Sequence, residues 1–416
     1  MSKLNVELYG SVLGTLSQNE KGFNFEVSPS VFEKYQLAST IMSLNVPLLL
    51  RYTVPQMKRS AVFFTELLPE GRNYNWLLTS LPHTEQNFYG MLRKYGKDIA
   101  GALTIYDPDD LSSDKKPEAE QVDDNEIRYL LEHMPQAALA NSPITGKTSL
   151  GGIQGKIVLA KKDASWHRVY NGFPSTHIIK PVVLEYPTMI YDEEFCMQIA
   201  YKSGLTAYPI WIENFNGADA LVIERYDRKN DFEGGRIHQE DFNQALGARG
   251  SEKYQEYGGK VSAKRIAQTL HRFGNNDDIE KFAAQLIFAI AIGNLDMHAK
   301  NVSILHLPDE SVSLAPAYDQ VALRHNSTDG RMALSVGGEY IHANISINNI
   351  VSELISWKCF RFSDKNETAA FIEKHLQKYI DIMDSITPNK IAYKNLKSNI
   401  HSFISNLLDG KNTGNI

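Results

Sequence analysis

The sequence predicts an α+β fold with successive regions of different character, and three observations support this prediction. Residues 4–16 alternate between apolar and polar side chains on both sides of a turn at Gly10, as in a β-hairpin. A glycine-rich loop precedes strand-like segments between residues 141 and 230. From residue 239 onward, apolar residues recur mainly at helical spacing. We therefore expect a small β-rich N-terminal subdomain, a mixed middle lobe and a mainly helical C-terminal lobe.

Composition and charge narrow the class of protein. The 416 residues suffice for two or three domains, and a net charge of −6 argues against a broad basic surface for nonspecific nucleic-acid binding. The two cysteines, Cys196 and Cys359, are too few for a disulfide framework or a cysteine-based zinc site. We see no signal peptide and no apolar run near the ~18 residues of a membrane span. The sequence thus predicts a cytoplasmic protein without membrane contact.

Domain boundaries follow from the same patterns. The alternation at residues 23–27 adds a third strand to the N-terminal hairpin, and residues 107–124 are polar and read as a linker. Apolar residues at helical spacing then indicate a short helix at 126–135. The predicted regions are an N-terminal subdomain at 1–110, a linker with a short helix at 111–140, a lobe with the glycine loop at 141–230, and a helical lobe at 231–416.

The glycine loop is the first motif with chemical character. Gly151, Gly152 and Gly155 would let backbone N–H groups approach an anion, and Lys156 adds a positive charge. The loop is not a Walker A motif, because Asn141 stands where the first glycine is required. The alternative is a plain turn between strands. Three nearby hydroxyl groups are candidates for phosphorylation: Thr145, Thr148 and Ser149.

Two further elements of this lobe favour nucleotide binding. A β-prone run ends at Lys180, and the first turn of the following helix holds Glu193 and Glu194, either of which could pair with that lysine. The alternatives are a lysine at an exposed strand end and an acidic residue placed by the helix dipole. The strand at 220–224 turns abruptly polar, which suits either a connector facing adenine or a salt-bridged strand end.

The strongest motif follows an apolar helix that ends near Ile292. Asp296 and, five residues later, Asn301 have the spacing of a phosphoryl-transfer loop, in which the aspartate acts as base and the asparagine binds Mg²⁺. Lys300 could neutralise charge on the transferred group. Asp319 follows a short strand and suits a second Mg²⁺ ligand. The alternative is a polar loop that caps a core helix.

The order of these motifs resembles the HipA family, serine/threonine kinases that act as toxins of bacterial type II toxin–antitoxin systems. The resemblance covers nearly the whole chain and implies a HipA-like kinase fold, with a kinase-like N-lobe at 141–230 and a helical C-lobe after it. The matching segments keep the family order: Ser149–Lys156, Thr176–Lys180, Asp192–Glu193, Glu224–Arg228, Gln239–Asp241, Lys253–Tyr254, Gly293–Asn301, Leu314–Asp319 and Leu334–Gly338.

The resemblance also implies roles for individual residues. Asp296 would be the catalytic base toward a protein hydroxyl, and Asn301 and Asp319 would bind Mg²⁺. Lys180 would contact the ATP phosphates and pair with Glu193. The remaining residues implied at the nucleotide are Gly151, Gly152, Ile153, Gln154, Gly155, Lys156, Glu224, Arg225, Tyr226, His298, Lys300 and Tyr318.

Regulation, partners and two departures complete the expectation. Ser149 stands at the family's autophosphorylation position, where modification ejects the loop. The implied partners are a protein substrate, an aminoacyl-tRNA synthetase or other translation component by analogy, and a HipB-like antitoxin that alone contacts DNA. Gly155 replaces an acidic residue of the family pattern, and Met297 replaces a small one. The alternative functions are a non-catalytic partner in an antitoxin–operator complex and a small-molecule kinase.

Overall fold

The computed structural model describes residues 3–19, 22–69, 71–110, 116–133, 155–326 and 328–415. The chain forms two compact units. The first comprises Met1–Pro181, Glu213–Glu240 and His306–Glu310, and the second comprises Val182–Ile212, Asp241–Leu305 and Ser311–Ile416. Among the described helices, none is long and apolar enough to cross a membrane.

The elements follow one another as the sequence patterns suggest. Up to residue 133 they are β1 Lys3–Leu8, β2 Ser11–Asn19, β3 Gly22–Val27, α1 Val54–Glu66, α2 Gly71–Thr79, α3 Phe88–Tyr95, β4 Thr104–Tyr106, β5 Glu118–Val122 and α4 Asp124–Glu132. From residue 155 they are β6 Ile157–Lys162, β7 Ser165–Tyr170, β8 His177–Pro181, α5 Met189–Ser203, β9 Ile210–Phe215, β10 Ala218–Glu224, β11 His238–Asp241, α6 Phe242–Ala245, α7 Ala263–Phe273 and α8 Asn276–Ile292. The last are β12 Ser303–His306, β13 Val312–Leu314, β14 Arg331–Val336, β15 Glu339–Ile341, α9 Ile347–Ser356, α10 Lys365–Asp384 and α11 Leu396–Leu408.

The N-terminal sheet confirms the predicted hairpin and its third strand. Its strand order is β3-β2-β1-β4, and β1 pairs with β2 in antiparallel register, with Leu4 opposite Leu16. Alternate residues of β1 are buried, so one face of the strand supplies the core. Phe25 and Phe64 pack against each other in that core with ring centroids 5.2 Å apart. The alternation therefore reports a sheet with one buried face.

The second sheet includes a strand from the segment read as a linker. The order is β5-β7-β6-β8-β10, with β9 at the edge, and β5 pairs antiparallel with β7 from Glu118 opposite Tyr170 to Val122 opposite Trp166. Of its five residues only Val122 is buried. An edge strand can be polar because it faces solvent on most sides, and charged residues discourage further pairing. The predicted short helix is confirmed as α4.

The polar end of β10 enters a buried ion-pair network in the first unit. The network consists of Asp98, Arg225, Asp227, Arg228 and Arg236, all of them buried. Arg228 lies 2.8 Å from Asp98 and 2.9 Å from Asp227, and Arg225 lies 2.8 Å from Asp227. Burial opposes ionisation of Asp98, but the arginines, Arg228 foremost, hold the pKa of Asp98 below its ordinary value. The network ties residues 98–101 to the segment that follows β10.

The second unit is mainly helical, as predicted, but two helical stretches are interrupted. Between α6 and α7, four glycines have positive φ, including Gly247 and Gly258, and such residues end a helix. Between α10 and α11 the chain passes through Pro388, which cannot continue a helix. The central helix α8 is buried along almost its whole length, and α7, α10 and α11 pack against it.

Helix α5 is fixed at its start by a buried carboxylate. Asp192 accepts hydrogen bonds from the Thr188 hydroxyl at 2.7 Å and from the Tyr393 N–H at 2.8 Å, and His325 lies 3.1 Å away. The His325 ring stacks on the Tyr393 ring at 4.1 Å. The helix ends at Gly204 with a φ of +79°. These contacts set the orientation of the residues next to Asp192, including Glu193.

We expect Asp98→Ala to lower the free energy of unfolding by about 3–5 kcal/mol, because it leaves Arg228 and Arg236 buried without their counter-charge. Urea unfolding followed by tryptophan fluorescence measures this change. The matched control is Lys3→Ala, which removes an ion pair to Glu26 with both side chains more than half exposed and should cost below about 1 kcal/mol. Equal losses in the two variants would contradict a structural role for the network.

Acid should destabilise the protein partly through His342. Burial lowers the pKa of His342 from 6.5 to about 4, while its Nε2 contacts the Ile290 carbonyl at 2.8 Å. The unfolded chain therefore takes up a proton between these two values that the folded chain does not, so stability falls as pH decreases through this window. His342→Phe should lose about 3 kcal/mol less than wild type between pH 7 and pH 4. The exposed His401→Phe is the control, and an equal loss in wild type and His342→Phe would contradict the prediction.

Candidate active site

The candidate site begins where the buried helix α8 ends. Gly293 follows the helix with a φ of +70°, in the left-handed region that favours glycine. The Gly293 N–H donates to the Ile290 carbonyl at 3.1 Å, and the Asn294 N–H donates to the Ala289 carbonyl at 2.8 Å. A Cβ atom at position 293 would lie 2.6 Å from Cγ of Arg324. Glycine at this position therefore lets the chain turn sharply out of the core.

Hydrogen bonds hold the main chain of Asp296 on both sides. Its N–H donates to Oδ1 of Asn294 at 3.0 Å. Its carbonyl accepts from the N–H of His298 at 2.7 Å and from Nδ2 of Asn301 at 2.9 Å. The predicted base and the predicted magnesium ligand are thus connected directly, through the side chain of one and the backbone of the other.

The Asp296 carboxylate is oriented and still accessible. The Tyr254 hydroxyl donates to Oδ1 at 3.0 Å, and 47% of the Asp296 side chain is exposed. Nε2 of the buried His298 lies 3.8 Å from Oδ2, and the His298 ring meets the Tyr254 ring edge-on at 5.3 Å. A carboxylate in this setting can accept a proton from a hydroxyl group that approaches from solvent.

Tyr318 connects the loop to the strand that follows it. Its hydroxyl donates to the Lys300 carbonyl at 2.7 Å and contacts the Ser303 hydroxyl at 2.6 Å. Burial raises the pKa of Tyr318 well above its ordinary value, and the charges of Asp241 and Asp319 raise it further. The phenol therefore remains protonated and holds the loop, whatever its ring contributes at the nucleotide.

Asn294 joins the two loops that carry the predicted magnesium ligands. While its Oδ1 accepts from Asp296, its Nδ2 lies 3.4 Å from the Asp319 carbonyl and 3.3 Å from Oε1 of Gln320. Asp319 has a φ of +55°, which is uncommon for a residue other than glycine and recurs at functional sites. Sequence reasoning gave Asn294 no role. Its position two residues before an aspartate, the spacing of an Asx turn, is the signal that could have indicated it.

Asn301 and Asp319 carry donor atoms that suit Mg²⁺. Both side chains offer oxygen, the donor that this cation prefers. Because Nδ2 of Asn301 donates to the Asp296 carbonyl, the amide oxygen faces away from that carbonyl. Within the described ranges, no three or more histidine, cysteine or acidic residues group together as a metal site. Mg²⁺ at phosphate sites is commonly bound by only one or two protein carboxylates, together with phosphates and water.

Glu193 and Asp319 lie in one electrostatic neighbourhood of the second unit. The Tyr208 hydroxyl donates to the Ala317 carbonyl at 2.8 Å. Burial raises the pKa of Tyr208 above its ordinary range, and the charges of Glu193 and Asp319 add to this effect. Glu194, the other candidate on α5, accepts instead from the Ile212 N–H at 3.3 Å. The structure thus brings Glu193 towards Asp319 and engages Glu194 with the backbone.

The residues predicted at the ATP phosphates and adenine that the structure describes lie in the first unit. Gly155 and Lys156 directly precede β6. Lys180 is buried near the end of β8, opposite Leu221 of β10, and Glu224 is the last residue of β10. The prediction that a strand carries Lys180 is confirmed. The predicted Ser149, Thr145, Thr148, Gly151, Gly152, Ile153 and Gln154 lie outside the described residues.

Arg225 is engaged by the protein rather than presented to a ligand. Its guanidinium donates to the Asp227 carboxylate, to the Ser175 hydroxyl and to the Ile99 carbonyl. Its backbone N–H donates to the Thr176 carbonyl at 2.9 Å. The neighbouring Tyr226 hydroxyl donates to the side chain of Gln239. The arrangement of Arg225 supports a positioning role for the end of β10.

Comparison with known proteins gives one consistent family. Residues 4–106 match the HipA N-terminal domain, and residues 148–388 match the HipA-like C-terminal domain. "Putative kinase Y4mE" of Sinorhizobium fredii is 31% identical over 343 residues, which is 80% of each chain. The serine/threonine-protein kinase toxin HipA of Shewanella oneidensis is 24% identical over 355 residues, which is 81% of this chain and 79% of the toxin.

A solved structure shares the fold. The match is a HipA, HipB and operator DNA complex of the Shewanella oneidensis toxin–antitoxin system, with a TM-score of 0.79 at 20% identity. The match covers 98% of this chain and 96% of the other. The predicted α+β fold is thereby confirmed, with its β-rich N-terminal part and its helical C-terminal part.

We expect Asn294→Ala to lower the free energy of unfolding by about 1–3 kcal/mol, because it leaves the Asp296 N–H and buried acceptors unpaired. The same change should speed hydrogen exchange of the Asp296 amide. Asn389→Ala is the matched control, since Oδ1 of Asn389 accepts from the residue two positions on, Ile391, at 3.0 Å in a more exposed loop. Unchanged exchange at Asp296 would show that Asn294 does not hold the loop.

Proposed function

The chain belongs to the HipA family of kinases, and from this premise we propose that it is an ATP-dependent serine/threonine protein kinase of a toxin–antitoxin module. The observation that carries the proposal is the setting of Asp296. An accessible carboxylate is held by Tyr254, and its backbone is linked through Asn294 to the loop of Asp319. These are the parts that phosphoryl transfer requires, namely a base and oxygen ligands held at fixed spacing.

The proposed reaction assigns a proton transfer to Asp296. Its carboxylate accepts the proton of a serine or threonine hydroxyl while the hydroxyl oxygen bonds to the γ-phosphorus of ATP. The bond between that phosphorus and the bridging oxygen breaks, and ADP leaves. Asn301 and Asp319 would hold Mg²⁺, which neutralises phosphate charge when bound. Lys300 supports the same charge neutralisation.

The nucleotide contacts follow from family resemblance. We assign the ATP phosphates to Lys180, paired with Glu193, and to the loop at 151–156. The remaining contacts are assigned to Glu224, Tyr226, His298 and Tyr318, and Arg225 is assigned the positioning of its neighbours. Its enclosure in the buried ion-pair network supports this last assignment.

Substrate and partners are proposed by analogy alone. The relative from Shewanella oneidensis is named a serine/threonine-protein kinase toxin, and the solved complex contains HipB and operator DNA. We propose a translation-related protein substrate, of the aminoacyl-tRNA synthetase class, and a HipB-like antitoxin through which the chain reaches DNA. Autophosphorylation is proposed at Ser149, with Thr148 and Thr145 as the competing positions.

Intact-mass measurement with Mg·ATP, followed by phosphopeptide mapping, tests the kinase assignment. We expect wild type to transfer phosphate to protein serine or threonine. Asp296→Gln should lower the rate about 10²- to 10⁴-fold, because the base is lost, while ATP binding by calorimetry is retained. Asp319→Ala should weaken Mg·ATP binding as well. Asp384→Asn, at an exposed carboxylate 3.8 Å from Lys397, is the control.

Three outcomes would contradict parts of this assignment. Wild-type transfer rates in Asp296→Gln would show that another group acts as the base. Phosphate appearing only on small molecules would indicate a small-molecule kinase. Failure of the wild type to bind ATP would leave a non-catalytic partner of an antitoxin–operator complex as the better function.

A further inference from the structure

We propose that Tyr254 is a positioning residue for phosphoryl transfer, which orients the Asp296 carboxylate toward the acceptor hydroxyl. The inference rests on the proposed kinase function and deepens it. Tyr254 lies 42 positions before Asp296 in the chain, yet its hydroxyl donates to Oδ1 of Asp296 at 3.0 Å. A carboxylate is planar, so a hydrogen bond that fixes Oδ1 also fixes the direction in which Oδ2 points.

The backbone sets the spacing between the two residues. The N–H of Gln255, directly after Tyr254, donates to the Ala333 carbonyl at 3.0 Å. The N–H of Ala333 donates to the carbonyl of Leu295, directly before Asp296, at 2.8 Å. Ala333 on β14 therefore bridges the two neighbouring positions. The Tyr254–Asp296 contact is built into the strand register and is not a chance meeting of two surface side chains.

Side chains reinforce the same register. Nε2 of Gln255 donates to the Ser335 hydroxyl at 2.8 Å, and Oε1 of Gln255 accepts from the Ser335 N–H at 3.0 Å. Both polar ends of the Gln255 amide are thus bonded to β14. The residue after Tyr254 cannot slide along the strand without breaking these bonds together with the backbone bond to Ala333.

The Tyr254 ring is confined on several sides. The Lys253 ammonium lies 5.5 Å from the ring centroid, the His298 ring meets it edge-on at 5.3 Å, and the Tyr257 ring meets it edge-on at 6.2 Å. Such contacts limit the rotation of the ring, so the hydroxyl has a fixed position. A fixed donor orients the carboxylate before the acceptor arrives, which is the condition for efficient proton transfer.

In the proposed step, the acceptor O–H bond breaks and its proton forms a new O–H bond on Asp296. Tyr254 keeps its own proton and its bond to Oδ1 throughout, so it takes no part in the group transfer. A hydrogen bond to a carboxylate also makes that carboxylate less basic. The inference is that orientation outweighs this loss, and the Tyr254→Phe variant measures the balance.

The first test is the kinetics of Tyr254→Phe with Mg·ATP and the protein acceptor. We expect kcat to fall about 10- to 100-fold, the cost of a misaligned reacting group. The KM for ATP should stay within about twofold of wild type, because the hydroxyl bonds to the base and not to the nucleotide. Rates are normalised to the folded fraction by ATP titration, so partial unfolding cannot imitate the effect. Tyr257→Phe, which removes the same atom from an exposed neighbouring ring, should leave kcat unchanged.

The second test separates positioning from a merely structural role. In an Asp296→Gln background, Tyr254→Phe should cause no further loss, because the group that it orients is already absent. A structural role predicts the same fold-loss in both backgrounds. That result, or a kcat of Tyr254→Phe within about twofold of an active wild type, would overturn this inference alone. A wild type that binds ATP and transfers no phosphate would overturn the proposed function together with it.

Discussion

The constraint on which the site depends is that a buried helix must end with its backbone satisfied. Helix α8 is enclosed by the second unit, so its last carbonyls need partners from within the protein. The Gly293 and Asn294 N–H groups supply two of them, and His342 contacts the Ile290 carbonyl. The chain leaves the core only after these bonds are made. The polar loop therefore starts from a rigid base, and the position of Asp296 is set by a helix that cannot move freely.

Local patterns predicted the elements whose signals lie within a few residues of each other. The N-terminal hairpin followed from alternation, and the loop after α8 followed from an apolar run that turns polar. Contacts between distant residues gave no such signal. Tyr254 meets Asp296 only because both flank Ala333, and Asn294 reaches Asp319 across 25 positions. Polar edge strands such as β5 escape for another reason, since a strand that exposes most of its side chains has the composition of a linker.

Charged residues were the least certain to interpret from sequence. The arginine-rich segment after β10 suited either a ligand or a salt-bridged strand end, and the structure favours the second for Arg225. Lys180 lies at the end of the adjacent strand and is also buried. Residue type and strand position are the same for the two uses, so only the partners distinguish them. Composition cannot reveal these partners, because Asp98 lies more than 120 positions away in the chain.

The buried ion-pair network bears on how this protein can be divided. The matched N-terminal domain ends at residue 106 and the C-terminal one begins at residue 148, which suggests two cassettes that recombination could exchange. Asp98 lies in the first and Arg228 and Arg236 lie in the second. An exchanged cassette would have to supply a carboxylate at the same depth to remain compatible. Electrostatic compatibility thus couples the inheritance of the two halves, although their sequences match separate families of domains.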